Sequence, residues 1–270
     1  MSILSKNSVF FQKKKGQSIK RGSSVHIYPS FPENNPPMAS NFYLLLLSKS
    51  VTPYQDNGGL CVAISGEDYA ILAGDTRQVK GYSIHSRYQP RVFNIGDNLV
   101  VSACGFSGDC YAIVRILRRE LIKYHFKHNK TLSVRSAARL IQTILYSRRF
   151  FPYYVYILVV GIDENGKGVI YTFDPVGSYE RVPYQAVGGS ASLALPLMDN
   201  QVGFKNQYEI VDGEYRLRTP VSFSCEDAIK MIKDTYNSVV ERHIEVGDAF
   251  QAFIVTSCGV RVEEYPLKRD

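Results

Sequence analysis

The side chains able to do chemistry in this 270-residue chain are spread out rather than clustered. His125 and His128 stand three apart, a spacing that sets two imidazoles toward one metal ion. Two ligands make no closed site, however, and cations are favoured at a helix C-terminus by the helix dipole, so both are read as structural. The five cysteines, Cys61, Cys104, Cys110, Cys225 and Cys258, include no CxxC pair. Neither a zinc site nor a disulfide framework is indicated, which suits a reducing cytoplasmic or nuclear setting. Asp163-Glu164-Asn165-Gly166 gathers acids at a turn but lacks the length and ligand spacing of a calcium loop. Arg148-Arg149 ahead of Phe150-Phe151-Pro152-Tyr153-Tyr154 mixes charge and aromatic faces as a single-strand nucleic-acid surface does. Because Pro152 marks a passage from helix to strand, these aromatics are assigned to core and contact surface instead, with no nucleic-acid partner.

The elements that must position these groups follow from periodicity. Gly58-Gly59-Leu60-Cys61-Val62-Ala63-Ile64-Ser65 and Tyr69-Ala70-Ile71-Leu72-Ala73-Gly74-Asp75 are apolar runs meeting at a Gly- and acid-rich turn, a β-hairpin pattern. Extended segments near Ser83–Ser86, Arg91–Asn94 and Leu99–Cys104 bring the number of strands before any helix to five. A helix is expected from Ser107 to Phe126, with Cys110, Ile113, Leu117, Leu121 and Tyr124 on one face, and a second from Ser133 to Arg148. Strands return at Tyr153–Gly161 and Lys167–Phe173 around an Asn-Gly turn, with a third over Tyr179–Ala186. A short helix follows from Gly188-Gly189-Ser190 toward Asp199. Ser224-Cys225-Glu226-Asp227 opens a last long helix by a capping box. Ala249–Val255 and Val260–Tyr265 close the chain as strands. Blocks of strands and helices in this order predict an α+β fold, two antiparallel sheets face to face with helices on both outer sides.

Charge and composition divide the chain. Of the net +7, residues 1–58 contribute +5, from Lys6, Lys13, Lys14, Lys15, Lys20, Arg21 and Lys49 against Glu33 and Asp56; residues 59–270 contribute +2. The basic stretch includes Pro32, Pro36 and Pro37 and shows little apolar periodicity, so residues 1–58 are read as a disordered or removable N-terminal extension and residues 59–270 as the folded domain. A transit peptide, or a nuclear signal at Lys13-Lys14-Lys15, is a weaker reading of the same stretch, and Met38 is an alternative start. No apolar stretch nears the roughly 20 residues that span a bilayer, so no membrane partner is expected.

Four segments narrow the family: Gly74-Asp75-Thr76-Arg77, Phe150-Phe151-Pro152-Tyr153-Tyr154-Val155, Phe173-Asp174-Pro175-Val176-Gly177-Ser178-Tyr179-Glu180 and Asp199-Asn200-Gln201-Val202-Gly203-Phe204-Lys205-Asn206-Gln207-Tyr208-Glu209. In this order they resemble the non-catalytic beta subunits of the proteasome core particle, over residues 56 to 270. The resemblance implies the four-layer αββα sandwich of N-terminal nucleophile hydrolases. In active relatives a threonine hydroxyl attacks and the free α-amino group of that same residue takes up the proton. The resemblance places that threonine on Gly59, the supporting aspartate on Asp75 and the lysine on Arg91. Gly105 falls on the residue whose N–H helps hold the oxyanion, Ser190 on a supporting serine, and His243 where active relatives carry another aspartate.

Only Asp75, Gly105 and Ser190 keep the active pattern. Glycine has no oxygen to attack a carbonyl, and losing a nucleophile costs about a millionfold in turnover. Arg91 keeps the lysine's charge without its ability to give up a proton, and suits a structural ion pair with Asp75. Cys61 or Thr52 could stand in as nucleophile only if the whole register shifted. The chain is therefore expected to have no catalytic, cofactor-binding or metal-binding residues and to need no cofactor. It is expected to act as a non-catalytic structural subunit in the inner beta ring, with other beta and alpha subunits as partners, in cytoplasm and nucleus. Any trimming of the extension falls to active neighbours. The alternatives are an active threonine-type endopeptidase subunit and a separate role for the basic extension in targeting or in binding acidic partners.

Overall fold

The computed structural model describes residues 54–211, 213–219 and 222–269; all but the last five residues of the expected 1–58 extension lie outside them. Strands β1 (Cys61–Ser65) and β2 (Tyr69–Asp75) form the first hairpin, Cys61 opposite Gly74 and Ser65 opposite Ala70. A small hairpin of β3 (Gln78–Lys80) and β4 (Ser83–Ser86) follows, then β5 (Val92–Gly96) and β6 (Leu99–Gly105). Six strands rather than five thus precede the first helix. The addition, β3, has three residues, too few to show an alternation.

Helix α1 (Ser107–His128) ends where Asn129 turns left-handed at φ 49° and donates its N–H to the His125 carbonyl, so the last turn carries both histidines as the dipole favours. Helix α2 (Val134–Tyr146) starts at Ser133, whose hydroxyl accepts from the Ser136 N–H. It stops two residues before the expected Arg148. Strands β7 (Val155–Ile162) and β8 (Gly168–Phe173) join through a turn in which the Asp163 carboxylate accepts the N–H groups of Asn165 and Lys167, each at 2.9 Å. That acid serves a local turn.

The strand expected over Tyr179–Ala186 is two strands. Pro183 separates β9 (Tyr179–Val182) from β10 (Tyr184–Val187), and the halves belong to different sheets. Proline fixes its φ and offers no N–H to a ladder, so the chain changes sheets at this residue. Helix α3 (Ala191–Gln201), the hairpin of β11 (Tyr208–Val211) and β12 (Glu214–Leu217), helix α4 (Cys225–Val240), β13 (Ala249–Thr256) and β14 (Gly259–Pro266) complete the order. As the sequence predicts, the Ser224 hydroxyl accepts from the Asp227 N–H at the start of α4.

Two five-stranded antiparallel sheets, β10-β1-β2-β13-β14 and β5-β6-β7-β8-β9, pack face to face. Their shared layer joins Cys61, Ala63 and Leu72 to Val100, Leu158 and Ile170. The outer face of the first sheet (Val62, Ile64, Ile71) lies under Met198 of α3 and Ile232 and Tyr236 of α4. The outer face of the second (Val101, Ile157, Val159) lies under Ile113 of α1 and Ile141 of α2. These are the four layers of the αββα fold. Every residue of β2 and β6 is buried, which is why those runs are apolar apart from Asp75 and Ser102 rather than alternating. Each large aliphatic side chain so placed is worth about 1.5–3 kcal/mol. Among the described residues no helix is long and apolar enough to cross a membrane.

Candidate functional site: a filled nucleophile position

The end of β2, the approach to β5 and the segment entering β1 converge between the two sheets. Asp75 is fully buried. Its Oδ1 accepts the Leu60 N–H at 2.9 Å and the Arg91 Nε–H at 3.0 Å. The Arg91 Nη2 donates to the Asn57 carbonyl at 3.2 Å and to the Arg77 carbonyl. Arg91 therefore pairs with Asp75 as expected, and also ties the approach to β5 to the segment entering β1 and to the end of β2.

Gly59 lies directly against that guanidinium. Its φ is +94°, a left-handed conformation that side chains resist, and a Cβ built on it would overlap Cζ and Nε of Arg91. The volume a threonine would need is thus occupied by the side chain standing in the lysine position. Cys61, two residues on, is fully buried. Burial, and next the hydrogen bond with Cys104 (Sγ–Sγ 3.2 Å), push its thiol well up, so it is poorly suited to be a nucleophile. Thr52 lies outside the described residues.

The segment before Gly59 is stitched into the domain. Tyr54 donates its hydroxyl to the Pro152 carbonyl at 2.6 Å and stacks on Phe151. Asn57 is buried, its N–H on the Gly105 carbonyl and its side chain accepting the Ser107 N–H at 2.9 Å. Since Phe106, the residue capping α1, supplies no side-chain bond, Asn57 satisfies one of that helix's open donors from outside the helix. Gly105, at φ +125°, borders a cleft of about 330 Å³ with Asp56, Tyr154, Tyr156 and Gly188. Ser190 Oγ is buried with no hydrogen-bond partner among the described residues. The partly exposed His243 faces Glu245, Nδ1 to Oε2 at 3.9 Å. The structure thus brings Gly59, Asp75 and Arg91 together.

A second buried ion pair goes unnoticed in the sequence. Arg77 Nε meets Asp248 Oδ2 at 2.7 Å, and Arg87 Nη1 meets Oδ1 at 2.5 Å. Burial opposes ionisation of Asp248, but the bonds from Arg77 and Arg87 outweigh it and hold the carboxyl below its usual range. The 171-residue separation between Arg77 and Asp248 leaves no local spacing to find. Of the two histidines, His128 lies tilted against the Tyr124 ring, and among the described residues no group of three His, Cys, Asp or Glu side chains is placed to hold an ion.

Asp75 sets a testable pH dependence. Burial raises its pKa from 3.8 to about 6, against the lowering effects of the Arg91 charge and the Leu60 N–H. The folded state therefore holds this proton more tightly than the unfolded chain does. The resulting stability is full below pH 3.8 and is lost as pH rises through about 6. Between pH 7 and pH 5 the wild type is expected to gain about 1 kcal/mol relative to Asp75→Asn. Urea melts of both chains at the two pH values measure this; parallel pH slopes would refute it.

Comparison with known proteins gives the family. A family model described as "Proteasome subunit" matches residues 55–245. The chain is 54% identical over 220 residues to "Proteasome subunit beta type-6" of Saccharomyces cerevisiae, covering 81% of this chain and 91% of that protein. It is 42% identical over 219 residues to "Proteasome subunit beta type-1" of Danio rerio, covering 81% and 89%. It is 39% identical over 219 residues to the protein of the same description from Arabidopsis thaliana, covering 81% and 96%. With the αββα layers in place and the match running through the domain from one side of the Gly59 site to the other, the chain belongs to the proteasome beta-subunit family.

Proposed function

We propose that this chain is a non-catalytic, architectural member of the inner beta ring of the 20S core particle. It closes the ring and walls the proteolytic chamber while its neighbours cut peptide bonds. The observation that carries the reading is Gly59: no hydroxyl stands there, and the space for one is taken by an Arg91 guanidinium anchored on Asp75. A free α-amino group at Gly59, were the extension cut there, would still have no hydroxyl proton to take up. Its partners are the other beta and alpha subunits, with no nucleic acid, membrane or cofactor, and its place is the cytoplasm and nucleus.

The test is native mass spectrometry of the chain purified from its own cells by a C-terminal tag, after treatment with an electrophile directed at catalytic threonines. The expected result is a large multi-subunit particle in which other beta subunits carry the label and this chain does not. Label on this chain would overturn its inactivity, and a free monomer would overturn the architectural role.

A further inference from the structure

The β11–β12 hairpin stands apart from the αββα layers. Among the described residues, neither strand pairs with any strand but the other. Its register sets Tyr208 opposite Leu217 and Ile210 opposite Tyr215 on one face, and Glu209 opposite Arg216 on the other. The apolar four are exposed at 62%, 59%, 67% and 76% respectively, while Glu214 pairs with Arg216 on the polar face. The ribbon, amphipathic except for Val211 opposite Glu214 on the polar face, thus turns its apolar side to solvent. Its root is held: Gln207 Nε2 donates to the Asn200 carbonyl at 2.9 Å, the Arg218 N–H donates to the Gln207 carbonyl at 2.9 Å, and the Arg218 guanidinium lies over the Phe204 ring.

Two-stranded hairpins are marginal in water, and an apolar stripe along one face is kept where that face is covered. The four side chains expose roughly 500 Å², the size of patch that marks a contact site on a soluble protein. That area also selects the occupant. Two copies pressing these faces together would each bury well under the roughly 800 Å² per partner of a stable interface. The ribbon is sized to be one projection of a larger contact.

We propose that the β11–β12 hairpin is a docking arm whose Tyr208, Ile210, Tyr215 and Leu217 face seats in an apolar groove on a different proteasome subunit. This rests on the architectural reading above. The occupied groove is expected to be apolar at its floor and weakly basic at its rim, because the arm's polar face carries Glu209 and Glu214 against Arg216.

The test uses the full chain expressed in its own cells, with a photocrosslinking phenylalanine at position 215 and, separately, the double variant Ile210→Glu/Tyr215→Glu. A crosslink to another proteasome subunit, with about tenfold less double variant in the particle, is expected. The free double variant should keep the wild-type circular dichroism and melting temperature, and Glu209→Gln/Arg216→Gln should enter the particle normally. A crosslink to a second copy of this chain or to its own residues 1–53, no crosslink inside the particle, or normal incorporation of the double variant would each overturn the proposal. Absence of the wild-type chain from the particle would instead overturn the architectural reading.

Discussion

Asp75→Ala is expected to lower the stability of the purified chain by about 3–5 kcal/mol, because it leaves the buried Arg91 Nε–H and the Leu60 N–H without the carboxyl oxygen they share, an acceptor that the protonated side chain keeps. At roughly 2–4 °C per kcal/mol for a domain of this size, the melting temperature should drop by about 10 °C. The loss goes beyond one ion pair. Arg91 also holds the carbonyls of Asn57 and Arg77, so a displaced guanidinium loosens the entry to β1 and the end of β2 together. Removing both charges in Asp75→Leu/Arg91→Met is expected to cost less than Asp75→Ala alone, since no uncompensated ion then remains. Thermal melts of these chains decide the matter; an Asp75→Ala chain within about 1 kcal/mol of wild type would show that water or backbone shifts rescue the cation.

Gly59→Thr, the substitution that supplies the missing hydroxyl, is expected to leave the chain unlabelled by a threonine-directed electrophile, while active neighbours in the same particle are labelled. The position has to meet three demands at once. A β-branched residue at φ +94° is strained by about 1–3 kcal/mol. Its Cβ overlaps Arg91. The Gly58–Gly59 bond must also open to free an amine, in a segment clamped through Asn57 and Tyr54. Adding Arg91→Lys thins the crowded side chain and is expected to recover part of the lost stability, still without label. Labelling of the single variant would mean that the guanidinium is no barrier, and the case for a filled position would fall.

The layers were legible because β1, β2, β6 and β7 are compact apolar runs bounded by Gly and acidic turns, and because α1, α2 and α4 carry stripes that only a sheet can cover. Ser133 and Ser224 cap the helices where their residue types promise it. Pro183 was legible as a residue but not as a change of sheet, since nothing local says which ladder each half of an interrupted strand will join. The β11–β12 ribbon shows the reverse: Asp212-Gly213 between Ile210-Val211 and Tyr215 is a hairpin signal, yet no strands are expected there when that stretch is read only for resemblance. At the site, the Asp75–Arg91 pair was implied by the family resemblance, which sets opposite charges at two neighbouring positions of the site, but the overlap of Arg91 with the Gly59 side-chain position needs coordinates. So does the Arg77–Asp248 pair, which joins distant parts of the chain.

The strand orders of the two sheets also fix when each can be finished on the ribosome. The sheet β5-β6-β7-β8-β9 comes from consecutive strands, and all its members have emerged once Val182 is clear of the exit tunnel. The other sheet draws β1 and β2 from early in the domain and β13 and β14 from late in it. Although β2 is made before any strand of the finished sheet, one of its two edges stays open until Ala249–Thr256 has been translated. The apolar run Tyr69–Asp75, buried along its whole length in the finished fold, therefore waits longest for cover, and the nascent chain is most exposed to mispairing at the strand that carries Asp75.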